Sequence, residues 1–232
     1  MQQTSAHTLK AFDDDLNRLR ALISEMGGLA EFAITEAMRC LVERDLEAAE
    51  RIVENDKKLD ALEVETERRA IQLIALRAPM AGDLREVVAA LKISGVVERI
   101  GDYAKNIARR VPKLENIGKI EPLSLLPEMA KIATAMVHDV LNAFVERDAE
   151  AAERVAERDQ AVDDFYDAVF RTLLTHMMEN PHNIGQSAHL LFVAKNLERV
   201  GDHATNIAEM VYYAATGSHM TDKSAAAGSR QR

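Results

Sequence analysis

The sequence predicts an all-α protein made of two tandem, pseudo-symmetric three-helix bundles. Three observations predict it. The composition is helical: Leu, Ala, Glu and Arg dominate, aromatic residues are 4% and Trp is absent, which suits long helices and not a β-sandwich. The punctuation is sparse, since five prolines and ten glycines in 232 residues, mostly clustered, leave room for few but long elements. The chain also repeats itself. Val42–Asp60 matches Val145–Asp163 at 12 of 19 positions, an offset of 103, and Glu98–Ala108 matches Glu198–Ala208 at eight of 11, an offset of 100. The offsets differ by three, so the second copy carries a small deletion between the matching segments.

The elements follow in order. A first helix from about Leu9 to Glu43 carries Leu16, Leu19, Ile23, Ala30, Ile34 and Leu41 at helical spacing; Gly27-Gly28 is expected to weaken or bend it. Asp45 is the expected N-cap of a second helix, with Glu47 in its favourable first turn. That helix ends before Pro79, because a residue preceding proline is pushed out of the α region. Asp83 is expected to cap a third helix that stops at Pro112, with an apolar seam at Ala90, Ile93, Val97, Ile100, Ala104, Ile107 and Val111. The first bundle thus spans residues 1–111, and a proline-rich linker covers 112–124. The second bundle, 125–216, repeats the plan with helices Leu126–Arg147, Asp148–Met178 and Ile184–Ala215, turning at Asn180-Pro181. Residues 217–232 are small and polar and are expected to be a disordered tail. Short loops make neighbouring helices antiparallel.

Charge and cysteine content exclude some functions. The net charge is −9, and an acidic chain lacks the Lys and Arg surplus that drives nucleic-acid binding or polybasic membrane attachment. The single cysteine, Cys40, cannot form an internal disulfide, which fits a reducing compartment. With no signal-peptide h-region near Met1 and no run of 18 apolar residues, a cytoplasmic location without membrane insertion is expected.

The candidate chemistry lies in carboxylates. Four acidic pairs sit one helical turn apart: Asp56/Asp60, Glu98/Asp102, Asp159/Asp163 and Glu198/Asp202. A single pair means little, because 38 acids in 232 residues give roughly six such pairs by chance; the ordinary reading is a solvated helix face. The arrangement is more specific. The Asp56/Asp60 pair centres 21 residues before Pro79 and the Glu98/Asp102 pair 21 residues after it, so antiparallel helices of equal rise bring both to one height, about 30 Å from the turn. In the second copy the pairs centre 20 before and 19 after Pro181. Four carboxylates can therefore converge in each copy if the helix rotations allow. Converging acids repel unless neutralised, and hard cations with oxygen ligands, Mg, Mn, Fe, and also Zn or Ca, are the natural partners. Glu98 and Asp102 extend a second stripe with Leu84, Val88, Leu91 and Gly95, opposite the long seam. Whether that stripe meets the second helix decides between a closed cage and an exposed ledge.

Gly101 and Gly201 lie between the acids, where glycine costs about 1 kcal/mol relative to alanine. They read as close helix packing or as room for a ligand. Asn106 and Asn206, one turn further, read equally as outer ligands or as solvated side chains; His203 has Tyr103 as its counterpart and carries less weight. There is no glycine-rich phosphate loop, Gly-x-Ser-x-Gly or zinc-protease motif, and the one Glu-x-x-His, Glu179 to His182, straddles Pro181. A non-enzymatic role is expected, with a carboxylate-bridged metal enzyme that activates water or oxygen as the alternative.

The doubled Glu-Arg-(Ile/Val)-Gly-Asp-x-Ala-x-Asn-Ile segment, Asn55-Asp56-x-x-x-Asp60 and Asp83-Leu84-Arg85 resemble the PhoU family over about residues 5 to 216. The resemblance implies two pseudo-symmetric three-helix bundles and multinuclear metal clusters held by paired Glu/Asp-x-x-x-Asp motifs. By matching position, one cluster would use Asp56, Asp60, Glu98 and Asp102, and the other Asp159, Asp163, Glu198 and Asp202. The metal ions would be Fe, Zn, Mn or Mg. The resemblance further implies a negative regulator acting when phosphate is plentiful, commonly a homodimer or larger. It would link the ATPase subunit of the Pst phosphate transporter to the PhoR sensor kinase, so that PhoB is not phosphorylated.

Overall fold

The computed structural model describes residues 2–114 and 124–220, with side chains from residue 11 onward. Seven α-helices are described: α1 Gln2–Glu43, α2 Leu46–Arg77, α3 Ala81–Ala108, α4 Leu126–Glu146, α5 Ala149–Ala156, α6 Asp159–Glu179 and α7 Ile184–Thr216. Most of the expected linker lies outside the described residues; its first part, with Val111, is a 3-10 turn, Val111–Leu114.

The repeated Glu-Arg-Asp triplets make the same connection twice. Arg44 and Arg147 adopt left-handed backbone (φ 61 and 57), which reverses the chain. The next residue then caps the following helix: Asp45 accepts a hydrogen bond from the Ala48 N–H at 3.0 Å, and Asp148 accepts one from the Ala151 N–H at 2.9 Å.

Helices α1, α3, α4 and α7 form the centre. α3 packs on α1 within the first half and on α7 across the halves, and α1 packs on α4. The α3 seam residues Ala90, Ile93, Val97, Ile100, Ala104 and Ile107 are wholly buried in one continuous core with Leu19 and Ile23 of α1, Met136 of α4 and Leu197 of α7. α2 lies outside α1 and α3, and α5 and α6 lie outside α4 and α7.

α1 runs through Gly27-Gly28 unbroken to Glu43, and two other expectations are corrected. A Cβ at residue 27 would collide with Leu141 of α4, so the glycine lets the halves approach. Asp83 is not the cap of α3; the helix starts at Ala81 after an extended Met80, and Asp83 sits in its first turn, where its charge favours the helix N-terminus. The helix expected over Asp148–Met178 is broken into α5 and α6. At the break the chain tightens: Arg158 N–H bonds the Val155 carbonyl and Ala161 N–H bonds the Arg158 carbonyl, both at 3.0 Å. The Arg158 guanidinium is tied to Asp139 of α4. No glycine or proline marks this break; a tertiary ion pair accompanies it.

α7 ends at Gly217, whose left-handed backbone (φ 77) supplies the C-cap. The Tyr213 and His219 rings stack at 4.9 Å and Met220 packs on the core. Residues 221–232 of the expected tail lie outside the described residues.

Candidate metal centre

The second stripe of α3 faces α2. Gly95 lies 3.5 Å from Glu63 Oε1, measured from where its Cβ would stand, and a Cβ on Gly101 would run into Leu59. Gly101 is therefore demanded by packing: the buried Leu59 side chain fills the space beside the acids. Glu98 and Asp102 sit at the α2–α3 interface, at the height of Asp56 and Asp60, as the equal distances from Pro79 predict. Asp102, Glu63, Asp60 and Asp56 all lie near enough to Glu98 for their charges to act on it, but no three of these acids bring ligand oxygens as close together as the second site does. Burial, and then the charges of Asp102, Glu63, Asp60 and Asp56, push the Glu98 carboxyl above the usual range. A lysine closes this site. Lys105 Nζ donates to Asp102 at 2.6 Å and also to Asp56 across the interface, so one ammonium joins the two helices.

The second site has the same acids in a different state. Asp159 opens α6, and Asp163 follows one turn on. One oxygen each of Asp163, Glu198 and Asp202 lie within 4.8 Å of one another; among the described residues no other trio of possible ligands does so. Burial first, then Asp163 and Asp202, push the Asp159 carboxyl up, with the nearby Thr205 hydroxyl pulling the other way. Burial and Glu198 push Asp163 up, opposed by Lys195. Lys195 donates to Glu198 Oε1 from the same helix. Asp159 Oδ1, Glu198 Oε2 and Thr205 Oγ1 are buried and complete no hydrogen bond. A Cβ on Gly201 would lie 3.2 Å from both Asp159 Oδ1 and Val162, so this glycine keeps the helix close to the acid.

These donors fit a cation. The ligand atoms are oxygens only, the preference of hard divalent metals. Each orphaned buried oxygen costs about 1–3 kcal/mol, and a cation among them would remove that penalty.

The structure also assigns residues the motif spacing did not reveal: Glu63, Lys105, Lys195 and Thr205. Lys105 and Thr205 occupy matching positions, and the signal was their difference inside an otherwise repeated motif. Asn206 is exposed, and its amide nitrogen lies 3.4 Å from His203 Nδ1, so it turns toward that ring. His203 Nε2 meets the Tyr103 hydroxyl at 3.1 Å, joining α7 to α3.

The pattern defining the PhoU domain matches residues 23–111 and 126–211, the two halves described above. A phosphate-specific transport system accessory protein PhoU homolog of Zymomonas mobilis is 56% identical over 94% of this chain and 92% of its own. The homolog of Caulobacter vibrioides is 45% identical over 94% and 95%. The crystal structure of PhoU from Pseudomonas aeruginosa superposes with a TM-score of 0.85 at 34% identity, covering 89% of this chain and all of that one. The phosphate transport system regulatory protein PhoU from Streptococcus pneumoniae gives 0.84 at 29%, covering 90% and 99%. Fold, duplication and relatives together define an all-helical accessory protein of a phosphate transport system. The chain belongs to the PhoU family.

Proposed function

We propose that the protein is a non-enzymatic, metal-binding regulator that restrains phosphate uptake and phosphate-starvation signalling when phosphate is plentiful. In this reading it works in the cytoplasm as a homodimer. It couples the ATPase subunit of the Pst transporter to the PhoR sensor kinase, which keeps PhoB unphosphorylated. The observation that carries it is the pair of acid sites at the α2–α3 and α6–α7 interfaces, with orphaned buried oxygens at the second.

When bound, the metal supplies positive charge and Lewis-acid coordination. The chain does the rest. Asp56 and Asp60 present oxygens from α2 toward Glu98 and Asp102 of α3. Asp159 and Asp163 do so from α6 toward Glu198 and Asp202 of α7. Each outer helix is thereby tied to the centre. Exposed apolar side chains at both hairpin ends, Leu76 and Met80 in one half and Met178 and Ile184 in the other, give surface for protein contacts. Among the described residues no helix is long and apolar enough to cross a membrane.

Two measurements test the reading. Elemental analysis of the purified protein is expected to find stoichiometric metal, lost in a still-helical variant with Asp60, Asp102, Asp163 and Asp202 changed to Ala. Deletion of the gene is expected to leave phosphate-starvation genes on in rich phosphate, and unchanged expression there would sink the regulatory role.

A further inference from the structure

We infer that Lys105 makes the two acid sites unequal: its ammonium holds the cation position of the first site, so that metal fills the second site first. The inference rests on the carboxylates binding metal and assigns a gatekeeping role to a residue of this chain.

Lys105 is replaced in the second copy. The offset of 100 places Thr205 there and Gly95 opposite Lys195. Each site therefore has one lysine, but on opposite flanks of the acids. In the first site the lysine lies inward. Lys105 Nζ reaches one carboxylate on each helix, Asp56 and Asp102. Its side chain is 19% exposed and that of Asp56 only 8%. Charge-assisted bonds to two partners are the strong kind, and they span the interface that a metal would span. A metal arriving there must either displace the ammonium from a buried carboxylate or bind beside a positive charge.

In the second site the lysine lies at the rim. Lys195 is 41% exposed and bonds a single oxygen, Glu198 Oε1, three residues along its own helix. Its ammonium lies 5.3 Å from the centre of the Tyr166 ring. Among the described residues its only link to α6 is that ring contact and the field it exerts on Asp163, with no hydrogen bond to a carboxylate across the interface. The position matching Lys105 is held by the neutral Thr205, whose hydroxyl lies beside Asp159 and brings no charge. Three carboxylate oxygens already converge without a bridging cation. The second site thus keeps its lysine at the rim beside three converging carboxylates, where the first holds its lysine between the helices.

The test uses the full chain stripped with a chelator and titrated with Mn2+ alone, followed by calorimetry and by the free Mn2+ resonance signal. Wild type is expected to show two classes of site whose affinities differ by at least about tenfold, the order set by one unit charge at close range in a partly screened site. Asp163→Ala with Asp202→Ala removes the tight class, and Asp60→Ala with Asp102→Ala removes the weak one. Lys105→Thr raises the weak class to within about threefold of the tight class, and Thr205→Lys lowers the tight class toward the weak. Circular dichroism checks folding, and Thr205→Lys keeps the test open should Lys105→Thr fold poorly. Equal classes in wild type, or a weak class unmoved by Lys105→Thr, overturns the inference while leaving the metal sites standing. No Mn2+ uptake by wild type overturns the metal reading itself.

Discussion

The two halves carry the same four acids by matching position, and they keep them in different electrostatic states. In the first half, Lys105 joins Asp56 to Asp102, and α2 runs unbroken past the site. In the second half the outer helix breaks two residues before Asp159, and three acids face one another without a bridging cation. A duplicated motif therefore fixes where ligands stand but not how the charge among them is balanced. That balance is set by residues the motif leaves free.

The comparison can be strained at other matched positions. The largest effect is expected at Glu86, whose carboxylate is almost fully buried between Arg20 of α1, at 2.6 Å, and Arg147 at the α4–α5 junction. Its match at the offset of 100 is Gln186. Removing one partner of a buried pair costs about 3–5 kcal/mol. Both arginines are partly exposed, so Glu86→Gln is expected to lose about 2–3 kcal/mol in urea denaturation. Gln186→Ala, whose amide bonds Asn183 at 2.8 Å at the surface, is expected to lose under about 1 kcal/mol. Equal losses would show that the Glu86 clasp carries no special weight between the halves.

A smaller contrast is expected at the two glycines. Gly101→Ala drives a methyl into the buried Leu59. Overpacking costs about 1–3 kcal/mol and the helix-propensity gain returns about 1, which leaves a net loss of about 0–2 kcal/mol. Gly201→Ala meets its neighbours at 3.2 Å and is expected to be near neutral in stability. Thermal denaturation of the pair measures the difference.

A pH dependence separates metal-free from metal-loaded protein. The Glu98, Asp159 and Asp163 carboxyls are raised above their ordinary values, with burial the largest cause in each. The folded metal-free protein then binds more protons than the unfolded chain just above the ordinary carboxylate range of about 4. Its stability from these groups is fully present below that range and is lost as pH rises through the folded values. Metal competes with those protons, so its stabilising effect is expected to grow over the same rise. Melting temperatures with chelator and with Mn2+, taken from pH about 4.5 to 8, read this out; a metal effect that shrinks with rising pH contradicts it.

The smallest difference is expected at the caps. Asp45→Ala and Asp148→Ala each remove one side-chain bond to a helix N-terminus, and Asp45→Ala also removes the Arg39 bonds at 3.3 Å, so it is expected to lower the denaturation midpoint slightly more than Asp148→Ala. Equal midpoints would mean that the Arg39 bonds carry no weight.

Much of this was legible in the sequence. The helices follow from apolar periodicity and from the prolines. The level placement of the acids follows from equal chain lengths on either side of Pro79, because backbone rise is nearly independent of side chain. The α3 seam was readable for the same reason. The rotation of α3 against α2 was not, since it depends on Gly101 admitting Leu59. The break after Ala156 was illegible because the ion pair at that break, from Arg158 to Asp139, reaches 19 residues back. Lys105 stood in view three residues beyond Asp102. That it reaches across to Asp56 depends on how close the two helices run.

The central helices and the outer helices have different mechanical freedom. α1, α3, α4 and α7 brace one another across the midline, where Tyr103 meets His203. α2 and the α5–α6 pair are each held from one side only. They resemble two covers on one spine, with the acid sites set along the hinges. One cover is a single stiff board and the other is jointed at Glu157-Arg158. A shift at the first hinge is carried toward the far end of α2 by one continuous helix. At the second it can be taken up at the joint, so the same event at the two hinges presents two different outer surfaces to whatever touches them.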